Sequence, residues 1–277
     1  MNIKRIGIDL AKQVFQLHGV DQNEKAVLKK QLPRKKMLAY FQSLPPCLIG
    51  MEACGSSHYW ARELQKIGHT VKLMAPQFVK PYVKGNKNDT NDAEAICEAV
   101  SRPNMRFVTI KTVAQQDVQS VHRIRSELVK QRTAKGNQIR GLLAEYGVVI
   151  NKRIDVLRKA LPSIFEDTEN GLSADLRTLL EELRQDLIAL DERVLVVTEK
   201  INVLAKADED AQRLLKIPGI GPMTATAIIS AIGNGKQFKC GRDLAAWLGL
   251  TPKQHSSGGK ERLLGISKRG DGLLSAR

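Results

Sequence analysis

Short apolar runs broken by polar turns fill the first hundred residues. Residues 3–9 (IKRIGID) read as a buried strand that ends in an aspartate. Residues 14–20 (VFQLHGV) and 26–32 (AVLKKQL) are strand-like and joined by the polar stretch DQNEK, which predicts a three-stranded antiparallel meander. A short helix is expected over 35–43, and residues 47–53 (CLIGMEA) form a fourth strand ending at Glu52. Ser56 or Ser57 is placed to cap a helix that runs to about Ile67 and stops at Gly68. A further strand over 70–76 leads through a basic loop to a helix of roughly 91–101, with Thr90 as its cap. Strands followed by helices predict an α/β domain with a mixed sheet over residues 1–112.

The pattern then changes period. Val113 to about Tyr146 reads as a basic helix. Leu176, Leu179, Leu183, Leu187, Leu190 and Val194 recur at spacings of three and four, and Val197, Ile201 and Leu204 continue the series. That 3.5-residue period predicts a coiled coil, so residues 113–207 are expected to form a basic helix and coiled-coil arm. A mostly α-helical C-terminal domain, 208–277, opens with IPGIG (217–221) between two short helices, a helix-hairpin-helix pattern. Gly219 and Gly221 would let the backbone approach a phosphate, with helix N-terminal amides as donors. Residues 242–249 predict another short helix, and the Gly- and Ser-rich tail beyond it is expected to be loop-like.

Charge makes a polyanion the leading partner. The 277 residues carry a formal net charge of +15. Residues 121–160 hold 10 basic and 3 acidic side chains, net +7, whereas 171–210 hold 5 and 10, net −5. Within the basic stretch, Arg123, Arg125, Lys130 and Arg132 are candidate phosphate contacts; Lys253, Lys260, Arg262, Lys268 and Arg269 are candidates near the C-terminus. With only 4% aromatic residues, base stacking is disfavoured as the main binding mode. The four cysteines lack CxxC spacing, which argues against a zinc knuckle or a disulfide framework. No apolar run of about 18 residues and no signal peptide is present, so a cytoplasmic, nucleoid-associated bacterial protein without membrane contact is expected.

Asp9 and Glu52 end two strands, and Asp89 and Asp92 flank the start of a helix, three residues apart on one face. If the first and fourth strands are neighbours, Asp9 and Glu52 lie side by side. Four acids brought together repel without a counter-ion, and oxygen donors favour Mg2+ or Mn2+. Two such ions about 4 Å apart clamp the attacking and leaving oxygens of a phosphodiester.

This arrangement resembles a ribonuclease-H-like nuclease core of the Holliday-junction-resolvase type. GIDLAK (7–12), MEACGSS (51–57), KNDTNDAEAI (87–96), IPGIG, LAAWLGLTPKQHSSGGK (244–260) and ISKRGD (266–271) together resemble transposases of the insertion sequence 110 family, 1111 subgroup. The resemblance implies a DEDD metal site at Asp9, Glu52, Asp89 and Asp92, all four counted as catalytic. It also implies a nucleophilic serine in a C-terminal transposase domain, a dimerisation arm and a homo-oligomer of two or four copies. Element-end and target DNA would be the substrates, and a structured bridge RNA the guide. One protomer's DEDD domain would work with the serine domain of another. The residues alone leave Ser256 and Ser257 open; the resemblance selects Ser257, the serine before glycine in the (Y/H)-x-S-G pattern. The family continues through further helices after ISKRGD, so the resemblance also implies a C-terminally shortened copy with Leu263, Leu264 and Ile266 uncovered. A disabled nucleic-acid-binding remnant and a metal-dependent junction endonuclease using water are the alternatives.

Overall fold

Alternate residues of the first strand serve two different faces of one sheet. The computed structural model describes residues 3–85, 88–267 and 270. The expected meander is present as β1 (Arg5–Leu10), β2 (Val14–Val20) and β3 (Ala26–Pro33). β4 (Leu48–Glu52) lies parallel to β1, β5 (Thr70–Met74) lies parallel to β4, and β6 (Phe107–Val108) closes the edge antiparallel to β5. The order is β3-β2-β1-β4-β5-β6. The two-residue β6 was not legible in the apolar pattern, being too short to show a period.

Ile6, Ile8, Phe15, Leu17, Ile49 and Met51 point to one face of this sheet and are buried there. The face is covered by α1 (Met37–Gln42) and α2 (Ser57–Lys66), which contribute Met37, Phe41, Trp60 and Leu64. Phe15 and Trp60 meet edge to face with ring centroids 5.3 Å apart. Each of these large side chains contributes about 1.5–3 kcal/mol through burial. Neither Ser56 nor Ser57 caps α2 through its side chain. Ser56 instead takes a left-handed conformation (φ 67°), and the Ser57 hydroxyl donates to the Cys54 carbonyl at 2.8 Å.

After α3 (Pro76–Val79), helix α4 (Asp89–Ala99) covers the other face. Its cap is Asn88, not Thr90: the Asn88 side chain accepts from the Asn91 amide at 2.8 Å, and Thr90 lies inside the first turn. Two glycines bring the helix down onto the sheet. A Cβ on Gly7 would lie 2.3 Å from the Ala93 carbonyl oxygen and 2.4 Å from the Cys97 nitrogen; one on Gly50 would lie 2.8 Å from Val100 Cβ. Beside this contact the Arg5 Nε donates to the Cys97 carbonyl at 2.9 Å, and its two terminal nitrogens grip the Glu24 carboxylate. Lys4 reaches the same carboxylate at 2.8 Å.

Residues 113–267 make a second, mostly helical unit. It comprises α5 (Val113–Ala144), α6 (Ile154–Glu166), α7 (Ala174–Ala207), α8 (Glu209–Leu215), α9 (Pro222–Ile232) and α10 (Gly241–Trp247). The heptad repeat of α7 is spent inside the chain, against α5. Leu180, Leu187, Val194 and Ile201 form its buried stripe, whereas the expected seam residue Leu179 is 54% exposed. α6, which the sequence pattern did not reveal, packs Leu157 and Leu161 onto Ile139 and Leu143 of α5. The tail expected to be loop-like contains a ribbon, β7 (Pro252–Gln254) paired antiparallel with β8 (Leu263–Ile266). Leu263, Leu264 and Ile266 on this ribbon are exposed. Among the described residues, no helix is long and apolar enough to cross a membrane.

Two stability predictions follow from these contacts. Gly7→Ala places a methyl group against helix backbone that cannot rotate aside, and should cost about 1–3 kcal/mol in chemical unfolding; unchanged stability would show that α4 is free to shift. Lys4 and Arg5 hold the Glu24 carboxyl down at about 2, from an ordinary 4.5. The depressed value means that the stabilisation is present above pH 4.5 and is lost as pH falls toward 2. Thermal unfolding of Glu24→Gln followed from pH 6 to pH 2 should lack that component, and an identical pH profile would refute the linkage.

Candidate active site

The parallel pairing of β1 with β4 runs from Arg5 opposite Leu48 to Ile8 opposite Met51. Continuing that register by one residue sets Asp9 beside Glu52. Side chains alternate along a strand, so Asp9 shares a face with Gly7, and Glu52 shares a face with Gly50. That is the face on which α4 lies. Arg5 and Gly7 touch Cys97 and Ala93, so the helix runs toward its N-terminus as β1 runs toward its C-terminus. The first turn of α4, with Asp89 and Asp92, is therefore carried toward the strand ends that hold Asp9 and Glu52. Asp9, Glu52 and Asp92 are half-buried and Asp89 is exposed. The Cys54 thiol reports on the same corner: desolvation pushes its pKa up, and the Glu52 and Asp9 carboxylates push it further.

These four acids offer only oxygen donors, a set that suits Mg2+ or Mn2+ better than a softer ion. Among the described residues, no three His, Cys, Asp or Glu side chains stand close enough to hold a metal ion. The backbone thus brings the acids to one end of the sheet without gathering their carboxylates into a finished cage. Gly7 and Gly50 were not singled out in the sequence, although the signal was there. Gly-Ile-Asp and Gly-Met-Glu repeat the same glycine-to-acid spacing on neighbouring strands.

In the second unit, Ser257 sits at the first position of a tight hairpin turn. Gly258 and Gly259 take φ values of 57° and 76°, as a type I′ turn requires, and the Lys260 amide donates to the Ser257 carbonyl at 3.1 Å. The two serines that the sequence left open now differ. Ser256 Oγ accepts from Gln254 Nε2 at 2.9 Å and from the Arg262 amide at 3.4 Å. Ser257 Oγ makes no hydrogen bond among the described residues and is exposed. Lys253, Lys260 and Arg262 are exposed around it; Lys268 and Arg269 lie outside the described residues.

The other candidate contacts divide. Arg123 and Lys130 are exposed on α5. Arg125 and Arg132 are turned inward as ties between α5 and α7: Arg125 Nε donates to Thr198 Oγ1 at 2.8 Å, and Arg132 pairs with Asp191 at 3.3 Å. Each thus has a partner on the neighbouring helix, and its guanidinium keeps further N–H donors. Between α8 and α9, Gly219 is left-handed (φ 87°) and Gly221 precedes the first residue of α9. α9 is pinned to α5 by His122 Nε2, 2.9 Å from Thr226 Oγ1, and by Gln119 Nε2, which donates to the Ser230 carbonyl at 3.3 Å.

Comparison with known proteins adds the family. Residues 6–148 match a DEDD domain model of the IS110 type described as "Transposase", and residues 211–276 match one described as "Transposase IS116/IS110/IS902 family". A "Probable family 20 transposase" of Pseudomonas aeruginosa is 54% identical over 99% of this chain and 81% of its own length. The "Transposase for insertion sequence element IS1111A" of Coxiella burnetii is 45% identical, over 99% of this chain and 75% of its own. The "Transposase for insertion sequence element IS1328" of Yersinia enterocolitica is 43% identical, over 98% and 80%. With both parts of the fold matched to transposase domains and relatives of this identity aligned along almost the whole chain, the protein belongs to the IS110 family of DNA transposases.

Proposed function

We propose that this transposase cuts and rejoins DNA with Ser257 as nucleophile and the acids Asp9, Glu52, Asp89 and Asp92 as the site of a divalent ion, Mg2+ or Mn2+. The observation that carries the reading is the β1–β4 register, whose last pair, Ile8 with Met51, immediately precedes Asp9 and Glu52 at the end of the sheet toward which α4 points its first turn. The strand order, with β2 antiparallel and β4 and β5 parallel to β1, supports a ribonuclease-H-like assignment for this domain. A bound divalent ion would supply neutralisation of charge on the phosphate oxygens.

The chain's own residues do the rest. Asp9 and Glu52, on two strand ends, would hold the divalent ion whose positive charge offsets that of the scissile phosphate. Ser257 Oγ attacks phosphorus, forming an Oγ–P ester and breaking one P–O ester bond of the strand. The serine proton is lost to a base and the departing oxygen takes one up, leaving a free hydroxyl end. The phosphoserine link conserves the ester energy, so the reverse step rejoins a strand without a nucleotide cofactor. In this reading the acid domain of one protomer works with the serine loop of another, which makes a homo-oligomer the working form. A structured bridge RNA is the proposed guide, bound with the DNA by exposed cations such as Arg123 and Lys130 and by the Gly219–Gly221 turn.

The test is covalent trapping. Protein, flanking non-coding RNA of its element, Mg2+ and labelled donor or target DNA are incubated and run on a denaturing gel. Wild type and Ser256→Ala should form a protein–DNA adduct; Ser257→Ala and Asp9→Asn should form none while still binding nucleic acid. Cleavage that survives in Ser257→Ala would identify water as the nucleophile. Binding without cleavage in wild type would identify a disabled remnant. Either result would overturn the proposal.

A further inference from the structure

The α4 face of the sheet continues past the acids. Residues directly opposite in an antiparallel pair share a face. Asp9 stands opposite Gln16 and Gly7 opposite His18 on β2; Gln16 stands opposite Gln31 and His18 opposite Lys29 on β3. A polar strip therefore runs beside α4 from the acid end toward the start of β1. It opens there into a cavity of about 840 Å3.

The walls of this cavity are rich in cations. Lys4, Arg5, Lys29, Lys84 and Arg102 face it together with Glu24, Glu94 and Glu98. Two of the acids are each shared between two cations. Glu24 takes both Lys4 and Arg5, and Glu98 takes both Arg102 and, at 3.0 Å, Lys84. Lys29 makes no ion pair among the described residues. The balance is five cations against three carboxylates, with the lysine ammoniums keeping N–H donors to spare. His18 lines the same cavity, is only 5% exposed, and its Nδ1 has no hydrogen-bond partner. Glu94 Oε2 is 4.0 Å from that nitrogen, beyond hydrogen-bond reach. Among the described residues no Phe, Tyr or Trp lines the cavity, and the His18 ring is buried, which disfavours base stacking there.

We propose that this cavity binds a backbone phosphate of the nucleic-acid strand that continues from the acid end of the sheet. The inference rests on the reading of that end as the cleavage site. It adds where the strand goes next and which side chains hold it. Four strand residues separate Asp9 from Arg5, about 13 Å at roughly 3.3 Å per residue. That is about four nucleotides at a rise of roughly 3.4 Å per nucleotide. Lys29 and Arg102 are the principal contacts, being exposed and contributed by β3 and by the segment after α4. A phosphate contact of this kind sets the position of the strand and reads no sequence.

The experiment uses the full chain, a labelled single-stranded oligonucleotide and fluorescence anisotropy over a series of KCl concentrations. Lys29→Gln and Arg102→Gln, which remove the charge without adding a repulsive one beside Glu98, should change thermal unfolding little. Combined, they should weaken binding about tenfold and lower the slope of log affinity against log salt by about one. Unchanged affinity and slope would overturn the proposal. A parallel titration with inorganic phosphate and with a mononucleotide separates the sources. Saturable binding of either that the double variant loses, with oligonucleotide affinity untouched, would make this a free-phosphate site and likewise overturn it. Asp9→Asn, assayed alongside, should bind as wild type and fail to cleave. If it cleaves, the assignment of the acids fails, while a loss of binding confined to the Lys29 and Arg102 variants would still stand for the cavity.

Discussion

The contact between α4 and the sheet is the constraint on which the candidate site depends. Gly7 and Gly50 occupy paired positions on adjacent parallel strands, and neither leaves room for a Cβ. At Gly7 helix backbone rests directly on strand backbone, and at Gly50 the side chain of Val100, just past the helix end, fills the space a Cβ would need. Each strand then carries an acid two residues further on, on the same face, and the helix runs with its N-terminal turn toward that end of the sheet. A bulkier residue at either glycine would lift the helix and part Asp89 and Asp92 from Asp9 and Glu52. The apolar core on the opposite face makes this geometry rigid, since Ile8 and Met51, the neighbours of the two acids, are wholly buried there.

Much of this half of the fold was legible in the sequence because strand, turn and acid follow one another locally. The meander, the two strands ending in Asp9 and Glu52, and the helix carrying Asp89 and Asp92 all show in spacing and polarity. What the spacing could not show is the close approach of the helix, because the meaning of Gly7 and Gly50 appears only when the strands are paired. The cap of α4 was misplaced for a related reason. Thr90 and Asn88 are both competent caps by residue type, but Asn88 has the extended backbone of a cap (φ −153°, ψ 158°) while Thr90 is already helical.

In the helical half, local pattern was a poorer guide. The heptad repeat of α7 is real, but an apolar stripe does not say which helix it meets, and here α5 of the same chain takes it. The basic residues of α5 looked alike in sequence, yet Arg125 and Arg132 serve as ties to α7 while Arg123 and Lys130 face outward. The neighbouring serines illustrate the same limit at closer range. Two glycines in left-handed conformations turn the chain so that Ser256 is engaged by Gln254 and Arg262, leaving Ser257 at the exposed corner. The family resemblance alone assigns a role to Ser257; the hairpin distinguishes the two serines only by their hydrogen bonds.

The central claim is that residues far apart in sequence form one divalent-ion site at the carboxyl end of β1 and β4. Iron-directed backbone cleavage tests it most directly: Fe2+ is loaded in place of Mg2+, hydroxyl radicals are generated, and the cut positions are mapped. The account predicts cuts clustered at three places, around Asp9, around Glu52 and across Asp89–Asp92, all suppressed together by Asp9→Asn. Cuts confined to one of these segments, or surviving that substitution, would contradict it.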